Sequence, residues 1–176
     1  DTNKVNLLNE LSYQSYRVGV FDAEMDFAKK ALALAKKLKW KKGIAKAYNS
    51  IGGAYNDFGN LSKALDSYKR AFKLFKSIHD KKEVASTYNS LGIVYDLQGN
   101  YPEALKNYFS SLKIREKIGD KQGIANSCIN IGNLYYSQGN YPDALKNYLV
   151  ALKIAEEIRD KHGVAYSYNN LGNVCY

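Results

Sequence analysis

The chain has 176 residues and a mass of 19.8 kDa, 45% hydrophobic and 24% charged, which is apolar enough for one packed core and excludes an intrinsically disordered chain. Two Pro, 13 Gly and no apolar run of about 18 residues leave no collagen-like segment, long linker or membrane-spanning helix, so the segment is expected to be soluble. The net charge of +9 lies mostly in the first eighty residues, which raises the question of a polyanion surface.

Shifted by 40 residues, the chain falls on itself. Lys42-Gly43-Ile44-Ala45, Lys82-Glu83-Val84-Ala85, Gln122-Gly123-Ile124-Ala125 and His162-Gly163-Val164-Ala165 coincide, as do Ile51-Gly52, Leu91-Gly92, Ile131-Gly132 and Leu171-Gly172. Residues 1–40 follow the frame weakly, with Leu11, Gly19, Met25 and Ala31 in place, and are expected to form a divergent first repeat with helices over 3–18 and 22–38. In the second repeat, 41–80, Ile44, Tyr48, Ile51, Tyr55 and Phe58 step by helical intervals along a core-facing stripe. That spacing predicts a helix over 42–58, followed by another over 62–78. The third repeat, 81–120, predicts helices at 81–98 and 102–118, the latter carrying the stripe Ala104, Leu105, Tyr108, Ser111, Leu112 and Ile114. The fourth, 121–160, predicts 121–138 and 142–158, and a lone first helix follows at 161–176. Gly99 and Gly139 suit the left-handed conformation that ends a helix. Pro102 and Pro142 suit a first turn, with Glu103 and Asp143 favoured there by the helix dipole. Asp80, Asp120 and Asp160 are natural N-caps, and Asp80 with Glu83 has capping-box spacing.

Tyr48, Ile51-Gly52, Tyr55, Ala64, Tyr68 and Ala71 match the W-x2-L-G-x2-Y…A-x3-F spacing of tetratricopeptide repeats, with Tyr replacing Trp and Phe. The pattern returns at Tyr88, Leu91-Gly92, Tyr95, Ala104, Tyr108 and Ser111, and at Cys128, Ile131-Gly132, Tyr135, Ala144, Tyr148 and Ala151. The chain therefore resembles the tetratricopeptide-repeat family. It departs from the usual unit of about 34 residues and has Lys76, Glu116 and Glu156 where the family carries a late proline. Its 40-residue variety resembles the arrays of Pins/LGN spindle-orientation adaptors and of bacterial signalling proteins, and its opening segment and Ile-Gly-Asp-Lys linker are similar to sensor regions of Bacteroidetes histidine kinases. The resemblance implies an all-α, right-handed α-solenoid of helical hairpins, a single array over 1–176 within a longer protein. It also implies a noncatalytic interaction module whose first helices line a concave, peptide-binding groove, with any enzymatic output domain outside this segment and the compartment cytoplasmic or periplasmic.

The residues between the core stripes supply that groove: Asn9, Tyr13, Tyr16, Arg17, Lys46, Asn49, Asn56, Asn89, Asp96, Asn126, Asn133, Tyr136, Tyr166, Asn169 and Asn173. Asn can donate and accept along a ligand backbone, and Tyr offers rigid apolar area with a polar tip. The alternative is that Asn is a tolerated polar residue on a solvated face. Only Arg17 and Lys46 are basic, so the carboxylate clamp of chaperone-tail binders is incomplete, although an acidic peptide could enter at the amino end.

Nine tyrosines (48, 55, 68, 88, 95, 108, 135, 148 and 168) read as core, and Cys128 and Cys175 as buried small hydrophobes without a mutual disulfide. His79 and His162 sit at inter-repeat turns without a nucleophile or paired carboxylates, so no enzyme, cofactor or metal site is expected. Lys63, Lys69, Arg70, Lys73 and Lys76 are expected on a solvated convex face, with nucleic-acid binding there the disfavoured alternative. The unpartnered helix 161–176 would expose Tyr168, Leu171 and Val174 and promote self-association.

Overall fold

The computed structural model describes residues 1–18 and 20–174, the side chains of Tyr16 and Phe21 excepted. Gly19, Cys175, Tyr176 and the side chain of Tyr16 therefore lie outside the described residues.

Nine helices and no strand occur among the described residues: α1 (Thr2–Arg17), α2 (Phe21–Lys37), α3 (Lys41–Asp57), α4 (Leu61–Ser77), α5 (Lys81–Leu97), α6 (Tyr101–Ile118), α7 (Lys121–Ser137), α8 (Tyr141–Glu157) and α9 (Lys161–Val174). Each packs on the next, and α1 also touches α3, α5 touches α7 and α7 touches α9. The result is a right-handed α-solenoid in which first helices form one layer and second helices the other.

The helix ends follow from local chemistry. Gly59, Gly99 and Gly139 take left-handed φ values of 71°, 72° and 72° and end α3, α5 and α7. The Asn that follows each glycine caps the next helix: Asn60, Asn100 and Asn140 accept from the backbone N–H of Lys63, Glu103 and Asp143. Asp80 and Asp120 cap α5 and α7 by accepting from Glu83 and Gly123. The inter-repeat turn needs a left-handed residue at the same register each time, supplied by Lys39, His79, Gly119 and Arg159.

The repeat core is made of small residues and tyrosine rings. Gly52, Gly92 and Gly132 let the rings of Tyr68, Tyr108 and Tyr148 lie flat on the first helix, and a Cβ on these glycines would meet ring atoms at 2.7, 2.5 and 2.6 Å. The first-helix stripe is broader than its periodicity predicts. Ile51 is buried, but Ile44, Tyr48 and Tyr55 are only half-buried, while Ala45, Ala47 and Ala54 are fully enclosed. The cause is packing on two sides, since α3 lies against both α2 and α4 and needs small residues at both contacts. Arg115 is also buried, 7% exposed, and donates to the Gly123 carbonyl where the neighbouring repeats carry Phe75 and Ala155. Tyr168 corrects the core assignment of the nine tyrosines: it is 57% exposed, and among the described residues no second helix follows α9 to cover it. Leu171 and Val174 beside it are half-buried.

Candidate functional site

The first helices α1, α3, α5, α7 and α9 present their non-core faces along one side, where three cavities open. The first, about 720 Å³, is lined by Asn9, Tyr13, Lys46 and Asn49 with Asn6, Glu10, Ser50 and Glu83. The second, about 390 Å³, brings Tyr13, Asn49 and Asn56 together with Ser12, Glu24, Asp57, Tyr68, Ser90 and Ile93. A third, about 480 Å³ and towards the carboxyl end, is lined by Asn89, Asn126 and Tyr166 with Ile129, Asn130, Asp160, His162 and Gly163. The remaining residues selected from the sequence stand outside these three. Arg17, Asn169 and Asn173 are exposed, and Asp96 is half-buried with its carboxyl pushed up by burial. Tyr136 is 39% exposed and packs its ring 5.6 Å from that of Tyr141.

Polar satisfaction is uneven along the first-helix face, and both ends keep buried orphans, with Ser167 Oγ and Asn170 Nδ2 unpartnered on α9. Towards the carboxyl end, Asn130 Nδ2 donates to Asn89 Oδ1 at 2.8 Å, tying α7 to α5, and the Tyr148 hydroxyl donates to Asn133 Oδ1 at 2.9 Å. Burial, with Tyr166 and Tyr136 nearby, pushes that hydroxyl up to about 12. Towards the amino end, Oδ1 and Nδ2 of Asn9, Oδ1 of Asn49 and Oδ1 of Asn56 are buried without a hydrogen-bond partner among the described residues. Buried polar groups are nearly always paired, so these orphaned atoms stand out from the rest of the fold.

The two acidic residues of the second cavity, Glu24 and Asp57, are not among the residues selected from the sequence. Glu24 is 4% exposed with Oε2 unpartnered, and burial, then the neighbouring Asp57, pushes its carboxyl up to about 7. Burial also raises Asp57. A signal for Glu24 was present: in the 40-residue frame it occupies the position of Ala64, Ala104 and Ala144. The positive excess of residues 1–80 does not reach this cavity, which has no basic lining residue.

That excess lies instead on the second helices. Lys63, Lys69, Arg70, Lys73 and Lys76 are all exposed on α4, but three are engaged. Arg70 pairs with Asp66 at 2.8 Å and lies over the Tyr48 ring, Lys63 lies over Tyr55, and Lys76 over Phe72. Cys128 is buried and its thiol is pushed up to about 11 by burial and then Glu116, which makes it a poor nucleophile. His79 and His162 are exposed, His79 at a turn and His162 in the first turn of α9. Among the described residues no group of three or more His, Cys, Asp or Glu is placed to hold a metal, and no helix is long and apolar enough to cross a membrane.

The family model described as tetratricopeptide repeat matches residues 43–117 and 123–176. No curated protein matches the chain. Among solved structures it is similar to BtubC (BKLC) from P. vanneervenii, at 22% identity and a TM-score of 0.82 over 97% of this chain and 71% of that one. It is also similar to the apo form of RapI, at 20% identity and a TM-score of 0.81, covering 94% of this chain and 60% of that one. A Rap protein complexed with competence and sporulation factor matches at 19% identity and a TM-score of 0.88, covering 98% of this chain and 52% of that one. At these identities the likeness is one of fold, and the chain spans little more than half of the Rap proteins it matches.

Proposed function

The chain belongs to the tetratricopeptide-repeat family, and on that premise we propose that it is a noncatalytic interaction module that binds an extended peptide or partner segment along its first-helix face. The observation that carries this reading is a set of buried amide atoms without a partner among the described residues, both polar atoms of Asn9 and the Oδ1 of Asn49 and of Asn56, on residues that line adjoining cavities. A side-chain amide offers both a donor and an acceptor, which is what an extended peptide backbone needs, and binding would supply the hydrogen bonds the fold leaves unmade. The solved complex of a Rap protein with competence and sporulation factor is consistent with such a use of this fold. We read residues 1–176 as one array forming the sensory or scaffolding part of a signalling protein, as the 40-residue repeat and its similarity to Pins/LGN and sensor-kinase arrays suggest.

The test is selection of a random linear peptide library on the immobilised chain. The affinity of a selected peptide is then measured for wild type and for Asn9→Ala/Asn126→Ala/Tyr166→Ala. The expected result is a peptide retained at high salt whose affinity falls about tenfold or more in the variant. Selection that yields no peptide overturns the reading. So does a chain that captures only polyanions, equally in both forms and only at low salt.

A further inference from the structure

We propose that the cavity between α1, α3 and α5 is a receptor site for a protonated primary amine of the bound peptide, a lysine side chain or a free amino terminus, held by Glu24 with the side-chain oxygen of Asn56. This deepens the groove reading and rests on it.

The argument begins with what the first repeat changes. Ala64, Ala104 and Ala144 are fully enclosed in their second helices, and at the same register α2 encloses the carboxylate of Glu24. The tyrosine at 68, 108 and 148 becomes Ala28, and the glycine beneath its ring becomes Ser12, whose Oγ donates to the Glu24 carbonyl at 3.0 Å. The ring-on-glycine contact of the later repeats is therefore absent from the first. Glu24 is placed at 4% exposure, with Oε2 unpartnered and no ion pair to any described Lys, Arg or His. A buried carboxylate without a cation is unfavourable unless a ligand supplies one.

The surroundings specify the ligand. Asn49 Oδ1 and Asn56 Oδ1 are likewise unpartnered and line the same cavity, and Asp57 adds a second negative charge. An alkylammonium carries one charge and three donors; Asn49 and Asn56 stand two turns apart on α3, so it can meet the Glu24 carboxylate and the Asn56 oxygen while its third donor faces the cavity. Space for it is left by Gly53, where an added Cβ would lie 3.6 Å from Glu24 Oε1 and 3.8 Å from the Tyr68 hydroxyl. Later repeats fill that position with Ile93 and with Asn133, which accepts from Tyr148. The titratable groups facing the site are Tyr13 on α1, Asp57 on α3 and Tyr68 on α4, and α5 contributes only Ser90 and Ile93. A cation there draws Glu24, raised to about 7 in the free protein, back to its ionised form, so affinity should climb between about pH 6 and pH 8.

The experiment is an NMR titration of the 15N-labelled chain with three probes: Nα-acetyl-lysine N-methylamide, glycine N-methylamide and Nα-acetyl-norleucine N-methylamide. The amide signals of Gly53, Asn56 and Asp57 should shift saturably with the lysine probe or the glycine probe, whichever is stronger naming the source of the amine. The norleucine probe should leave them in place. Glu24→Gln, nearly isosteric, and Gly53→Asn, which imitates the fourth repeat, should each weaken binding about tenfold or more with the rest of the spectrum preserved. Equal shifts from norleucine, no shift from either amine, or undiminished binding in Glu24→Gln would overturn the proposal. The groove reading fails separately: a library peptide that needs Asn9, Asn126 and Tyr166 but is indifferent to Glu24→Gln leaves that reading intact and removes only this one.

Discussion

A carboxylate enclosed beside a second carboxylate resists ionisation, and for Glu24 this makes stability depend on pH. Its folded value is raised to about 7 from the ordinary 4.5, so the folded state binds the proton more tightly than the unfolded chain does. The associated stability is present below about pH 4.5 and is lost as pH rises through about 7. Glu24→Gln removes the titration, and the variant is expected to match wild type near pH 5 and to exceed it by on the order of 2 kcal/mol near pH 8. Urea unfolding at the two pH values checks this, and an unchanged difference between them would show that Glu24 ionises without penalty. At this scale the groove asparagines were legible, because they recur in the spaces between helical stripes. Glu24 was not, because the first repeat keeps few of the motif residues that would have drawn attention to position 24.

Adjacent glycines on one helix have opposite meanings. Gly92, like Gly52, receives a tyrosine ring, and an added Cβ would stand 2.5 Å from Tyr108, which is 2% exposed and has no room to withdraw. Gly92→Ala is expected to cost about 1–3 kcal/mol through overpacking. Gly53, a single residue beyond Gly52, would place its Cβ in ordinary contact, and Gly53→Ala should gain about 0.5–1 kcal/mol from helix propensity. Thermal melts of the two variants should therefore move in opposite directions, and a shared direction would contradict the packing described. Helix boundaries were read from the sequence to within a few residues, because Gly, Asp and Pro act locally. The caps at Asn60, Asn100 and Asn140 escaped notice although each residue was aligned, since the preceding glycine explained the break by itself.

Across the whole array, satisfied and unsatisfied surface are unevenly distributed. Asn89 bonds to Asn130 and Asn133 to Tyr148, whereas Asn170 Nδ2 and the amino-end amide oxygens lack partners among the described residues, and most of the positive charge lies on second helices, away from the Glu24 cavity. The face of α9 presents Tyr168 at 57% exposure, with Leu171 and Val174 half-buried. We propose that this face can seat a second copy of the chain. Light scattering should show a mass that rises with concentration and reverts to the monomer in Tyr168→Glu. A monomer at every concentration would remove self-association through α9.

The repeat length, the helices and the all-α solenoid were determined by the sequence itself, because a pattern that returns every 40 residues makes each hairpin bury its stripe on the next. The resemblance to tetratricopeptide repeats implied a groove on the first helices, and the spacing between core stripes picked its candidate residues. Which groove residues share a cavity was decided only by the tertiary structure, as was which amides find partners and that Glu24 from α2 joins Asn49 and Asn56 from α3. These depend on how far one helix tilts across its neighbours, and a one-dimensional pattern carries the facing of a residue but not the distance across the gap.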